Sequence, residues 1–173
     1  MSVFSRNVFD VKSPQKIALK SIEARYRREV LRIDAPAWVT RRSASPRNVF
    51  ELFRDLRYET KESFIVLHLD LKYRIVCFDR VSVGILDNAL IHPREVFKSA
   101  CLSNAASIML VHNHPDGNTK PSEQDILMTR RLVQAGDILG IEVRDHIIIG
   151  NGYTSFVEQC LIEWEACSDD QFR

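Results

Sequence analysis

The apolar positions of the chain fall into two kinds of pattern, helical stripes and short continuous runs, and their order predicts the fold. Residues 1–13 show no period, and Ser13-Pro14 then marks a helix start with proline in the first turn. Ile17, Ile22, Tyr26 and Val30 give that helix a patchy apolar stripe as far as Leu31. Asp34, Pro36 and the run Arg41-Arg42-Ser43-Ala44-Ser45-Pro46 read as a linker. Ser45-Pro46 opens a helix over 46–57 whose wide apolar face, Val49, Phe50, Leu52, Phe53 and Leu56, suits packing on a sheet. Phe64-Ile65-Val66-Leu67-His68-Leu69 predicts a strand and Tyr73 to Val83 a second. Asp70-Leu71-Lys72 between them is too short for a crossover, so the pair is antiparallel. His92-Pro93-Arg94-Glu95 starts a helix with Val96, Phe97, Ala100 and Cys101 inward. It leads into Ile108-Met109-Leu110-Val111, a short apolar run that predicts a buried central strand. A helix over 123–139 with Leu127, Leu132, Ala135 and Leu139 inward ends at Gly140. Residues 141–149 form a further strand, Gly150-Asn151-Gly152 a turn, and 153–165 a closing strand or helix. The expected fold class is α/β of the α+β type, a mixed sheet flanked by helices.

Chemistry enters where the central strand ends, in His112-Asn113-His114-Pro115. Two histidines at i and i+2 on a strand share a face, roughly 6–7 Å apart at the backbone, so both imidazoles can converge on one ion. Pro115 biases His114 toward an extended backbone, which carries the alternation to the second histidine. Asp125, in the first turn of the next helix, is placed to swing back as a third ligand. Two histidines and a carboxylate with an open fourth position make a catalytic zinc arrangement, since structural sites are closed by four protein ligands. The ligand mix also suits other divalent ions. The competing reading of Asp125 is structural: with Ser122 as N-cap it completes a capping box.

The pattern His112-x-His114 followed by Ser122-x-x-Asp125 resembles the metal motif of JAMM (MPN/JAB) metalloproteases. The longer string His112-Asn113-His114-Pro115-Asp116-Gly117, with Pro121-Ser122 and Asp145-His146, resembles the RadC-like family within that group, over about residues 46–160. Asp116 departs from it, because the family usually has Ser or Thr there; the position lies outside the ligand set. The resemblance implies a JAB/MPN, cytidine-deaminase-like architecture, one Zn2+ held by His112, His114 and Asp125, and a hydrolase that cleaves a peptide or isopeptide bond. It implies a general base at the start of the strand that follows the first long helix, the position of Glu62. Glu95 is the rival: it lies in a His-Pro-x-Glu string, but it opens a helix and has a sufficient structural explanation in the helix dipole. Ser122, a cap by its position, is also the serine that helps hold the oxyanion in JAMM enzymes. Asp145-His146 interrupts an apolar strand, so a hydrogen bond from this pair to a metal ligand is one reading and a satisfied buried polar pair the other.

Composition narrows the setting. The length of 173 residues suits one domain with an extension, and no apolar run reaches membrane-spanning length. MSVFSRNVFDVKSPQ lacks the apolar core of a signal peptide. Cys77, Cys101, Cys160 and Cys167 form no close pair, and Cys77 and Cys101 sit in apolar contexts as small buried hydrophobes. The expectation is a cytoplasmic, bacterial protein without a disulfide framework or a membrane partner. Net charge is +1, yet residues 1–48 hold eleven Lys/Arg against four Asp/Glu, and the remainder is acidic. Such an arm suits DNA or another acidic partner, with Arg27, Arg28, Arg41 and Arg42 as its densest positive points, or docks on the acidic body of its own chain or of a second copy. Residues 1–83 contain no glycine. The helix-hairpin-helix region of longer RadC-like proteins needs glycine at φ > 0, so a short form without it is expected. The implied organisation is a basic, partly helical extension and linker over 1–45, a metal domain over 46–166 and a tail over 167–173. A DNA-associated protein, in repair, in a mobile element or as a nuclease, is the alternative to the peptidase.

Overall fold

The apolar run that precedes the two histidines forms the middle of a five-stranded sheet. The computed structural model describes residues 25–27, 44–84 and 91–162. Its strands are β1 (Glu62–Leu69), β2 (Ile75–Gly84), β3 (Ser107–Asn113), β4 (Glu142–Ile149) and β5 (Tyr153–Ser155), in the spatial order β2-β1-β3-β4-β5. β1 is antiparallel to both β2 and β3, β4 is parallel to β3, and β5 returns antiparallel along β4. The sheet is therefore mixed, as expected. The one parallel pair is joined by a helical crossover, as a parallel connection requires.

Among the described residues three α-helices cover the sheet: α1 (Pro46–Phe53), α2 (Pro93–Leu102) and α3 (Glu123–Leu139). The helix expected over 46–57 stops at Phe53, and a 3-10 turn over Arg54–Tyr58 completes it. Period-two alternation sorts the central strands between two cores. Phe64, Val66, Ile108 and Leu110 face one way and pack with Val96, Phe97, Met128 and Leu132 of α2 and α3. Ile65, Leu67, Met109 and Val111 face the other way and pack with Val49, Leu52 and Phe53 of α1. His112 follows the even-numbered set, so its ring points toward α3. A bulge at Arg144, where Ile108 pairs with Val143 and Met109 with Asp145, shifts the phase of β4 and brings His146 to the same face.

Several inward assignments are corrected. Cys101 is exposed, because it lies one residue past Ala100, about 100° around a helix whose buried face is Val96, Phe97 and Ala100. Cys77 is only half-buried and touches His68. Leu127 and Leu139 are exposed, and α3 instead buries Asp125, Met128, Thr129, Leu132 and Gly136. No helix among the described residues is long and apolar enough to cross a membrane.

Candidate metal centre

His112 and His114 leave the end of β3 on the α3 side, and Asp125 meets them from the first turn of α3. Their ligand atoms lie within 4.8 Å of one another. The Nε2 atoms of the two histidines are 2.9 Å apart. Asp125 Oδ1 stands 3.4 Å from His112 Nε2, and Asp125 Oδ2 stands 3.6 Å from His114 Nε2. Ligands about 2.0–2.2 Å from a tetrahedral ion are separated by about 3.3–3.6 Å, so the two carboxylate distances match edges of such a site, while the two histidine nitrogens stand closer together. Two imidazole nitrogens and a carboxylate form an electron-rich set, and the residues fit a divalent cation.

Each donor is held from behind. Ser122 and Asp125 form a full capping box: Ser122 N–H donates to Asp125 Oδ2 at 2.8 Å and Asp125 N–H to Ser122 Oγ at 3.1 Å. The Ser122 hydroxyl also donates to Asp125 Oδ2, at 2.6 Å. The structural and liganding readings of Asp125 are thus compatible, since the box aims the carboxylate at the histidines. His114 N–H continues the β-ladder to Ile149 O at 2.9 Å, and its Nδ1 lies 2.7 Å from Asn118 O. A carbonyl only accepts, so Nδ1 carries a proton and Nε2 is the nitrogen that faces His112 and Asp125. The loop after His114 closes on the turn between β4 and β5 so tightly that a Cβ on Gly150 would lie 2.4 Å from Gly117 O. Gly117 itself has φ +81°, a conformation suited to glycine.

Burial pushes the His112 imidazole down to about 4, against the opposing pull of Asp125, so the ring is neutral at pH 7 and free to ligate. His114 is raised, chiefly by its hydrogen bond to Asp125. Burial works against ionisation of Asp125, but His114, His112 and the two Ser122 bonds hold its carboxyl well below the usual carboxylate range.

A cleft of about 970 Å³ opens on this centre, and Glu62, His114, Lys120, Ser122, Asp125 and Met128 are among the residues that line it. Glu62 stands at the first position of β1, paired with Gly84 of β2. Glu95 is not among the lining residues. It lies in the first turn of α2 and pairs with Lys98 at 2.5 Å and Arg94 at 3.3 Å. Arg28, Arg41 and Arg42 fall outside the described residues, and Arg27 lies in a short exposed segment.

The comparisons with known proteins agree with this architecture. Residues 43–161 match the model of the RadC-like JAB domain. The chain belongs to the RadC-like JAB family. Its JAB domain is 53% identical over 120 residues to a UPF0758 protein of Pelobacter propionicus, covering 68% of this chain and 52% of that protein. It is 51% identical over 120 residues to one of Moorella thermoacetica, with the same coverage, and 45% identical over 125 residues to one of Methanosarcina mazei, covering 71% of this chain and 55% of the relative. The chain thus spans about half the length of the curated relatives it matches. The JAB domain is a metal-dependent hydrolase fold, and the His112-His114-Asp125 group sits in it as a possible metal site.

The JAB domain also shows residues that periodicity does not single out. Asn113, between the two histidines, is fully buried on the α1 side. It accepts from Ser63 N–H at 2.8 Å and donates to Leu56 O at 3.1 Å and Lys61 O at 3.2 Å, so it grips the backbone on both sides of Glu62. Thr129 is buried behind Asp125. Of the Asp145-His146 pair, His146 reaches a histidine of the centre: its Nε2 is 2.7 Å from His112 Nδ1. Asp145 instead fastens backbone, accepting from His146 N–H, Val157 N–H and the Ser155 hydroxyl.

Burial raises Asp145 from 3.8 to about 6, against those three hydrogen bonds. An acid that holds its proton more tightly when folded favours folding below pH ~4, and that contribution is lost as pH rises through about 6. Asparagine can keep all three contacts, with its amide donating to Ser155 Oγ. With metal removed by a chelator, the urea-unfolding free energy of wild type relative to Asp145→Asn is therefore expected to fall by on the order of 2–3 kcal/mol between pH 4 and pH 7. A pH-independent difference would contradict the assignment.

Proposed function

We propose that the chain is a zinc-dependent hydrolase that cleaves a peptide or isopeptide bond. The observation that carries this reading is the convergence of ligand atoms of His112, His114 and Asp125 beside a cleft that Glu62 and Ser122 also line. His112, His114 and Asp125 would hold the zinc, which would supply a water with its pKa lowered to about 7 and a Lewis acid for the scissile carbonyl. The chain supplies the proton traffic and the positioning. Glu62 takes the proton of the attacking water and hands it to the leaving amine, work that needs a carboxylate at the cleft wall. Ser122 donates its hydroxyl to Asp125 Oδ2 in this structure. Rotation about χ1 turns it toward the cleft and the developing oxyanion, while the Ser122 backbone N–H keeps Asp125 in place.

The test is cleavage of a panel of linear peptides and lysine-linked isopeptides by the purified chain. Cleavage that a chelator removes and added zinc restores is the expected result. Cleavage that survives chelation contradicts a metal-dependent mechanism.

A further inference from the structure

The two histidines come to carry a proton on Nδ1 by different routes. His114 does so directly, through the Asn118 carbonyl 2.7 Å from its Nδ1. His112 Nδ1 instead faces His146 Nε2, at 2.7 Å, and a second imidazole nitrogen can either donate or accept. Which one it does is decided further back. His146 Nδ1 lies 2.6 Å from Thr129 Oγ1, and the same Oγ1 lies 2.6 Å from the backbone carbonyl of Asp125.

That carbonyl can only accept, so the single hydroxyl proton of Thr129 is committed to it. Thr129 Oγ1 must then accept from His146 Nδ1–H. His146 is fully buried, and as a neutral imidazole with its one proton on Nδ1 it has a bare Nε2. His112 therefore donates from Nδ1 and presents the lone pair of Nε2 to the Asp125 carboxylate side. The reverse order of donors would leave two acceptor oxygens, Thr129 Oγ1 and Asp125 O, 2.6 Å apart with no proton between them. Aromatic walls hold the rings in line: Phe156 stacks on His146 with centroids 4.6 Å apart, and Phe64 meets His146 edge-on at 5.8 Å.

We infer that Thr129 and His146 are positioning residues that hold His112 in the Nδ1–H tautomer, with the Asp125 backbone carbonyl as the fixed end of the chain. One ligand thereby sets the proton position of another: α3 carries both the carboxylate and the anchor, and β4 carries the bridge. The inference rests on the metal-site reading above and adds to it residues that touch neither ion nor substrate.

Two measurements test it. In the zinc-free wild type, long-range nitrogen–proton NMR of 15N-labelled histidine should show both His112 and His146 as Nδ1–H tautomers. An Nε2–H tautomer at either one overturns the inference, whether or not the protein binds zinc. The second is zinc affinity, by competition with a chromophoric chelator, for wild type, Thr129→Val and Thr129→Ser. Valine keeps the shape and removes the hydroxyl, and zinc affinity should fall about 10–100-fold, with serine returning it to near the wild-type value. Equal affinity in wild type and folded Thr129→Val overturns the role in ligation. A wild type that binds no zinc but shows the stated tautomers sinks the metal reading and leaves the proton relay standing.

Discussion

Replacing Glu62 by Gln is expected to leave zinc in place and lower kcat by on the order of 10²–10⁴-fold, the usual contribution of a positioned general base. Glutamine keeps the size and polarity of the side chain but cannot take a proton. Glu62 lines the cleft with Ser122 and Asp125, at the strand end opposite Gly84. It lies outside the His112-His114-Asp125 group, so metal content should not move. Glu95→Gln is the matched control. That carboxylate is engaged with Lys98 and Arg94 on the surface of α2, and its removal should leave kcat within a few-fold. Steady-state rates of the two zinc-loaded variants on one substrate decide between them: an active Glu62→Gln beside an inactive Glu95→Gln would move the base to Glu95.

Asn113→Ala is expected to lower stability by several kcal/mol. The amide satisfies three backbone groups at once, and two of its bonds cross 57 and 50 residues of chain, to Leu56 O and Ser63 N–H. Each buried group left without a partner costs ~1–3 kcal/mol, a large share of the ~5–15 kcal/mol that holds a domain folded. Asn113→Asp should also destabilise, because a carboxylate would face the carbonyls of Leu56 and Lys61. The readout is the urea midpoint at unchanged m value, with the metal chelated. A loss of less than ~1 kcal/mol for Asn113→Ala would show that water replaces the amide and that the loop before Glu62 does not depend on it.

The parts of this molecule legible in its sequence are those whose signals are local. α3 runs over 123–139 as its caps and Gly140 indicate, β3 follows its apolar run, and the short Asp70-Leu71-Lys72 link makes the antiparallel pair. The three converging donors were readable because spacing i, i+2 on a strand and an N3 position on a helix are also local facts. What stayed hidden depends on register between distant segments. Asn113 and Thr129 look like filler until β3 is set against the loop at 56–63 and α3 against β4. The wrong phase for α3 has a related cause. Its inward face carries Asp125, Thr129 and Gly136 beside Met128 and Leu132, so polar and small residues dilute the apolar stripe and Leu127 and Leu139 mimic it. Cys101 misled for a simpler reason, since it directly follows the last inward residue of α2.

The central claim is that His112, His114 and Asp125 hold one metal ion, and its most direct test is the metal content of the purified chain, by elemental analysis after loading with zinc and desalting, wild type beside His114→Ala. His114 is the ligand most accessible from the cleft and the least buried of the three, so its removal disturbs the core least. One zinc per wild-type chain and little in the variant is the predicted result. Equal zinc in both, or none in a folded wild type, would contradict the metal centre and with it the hydrolase built on it.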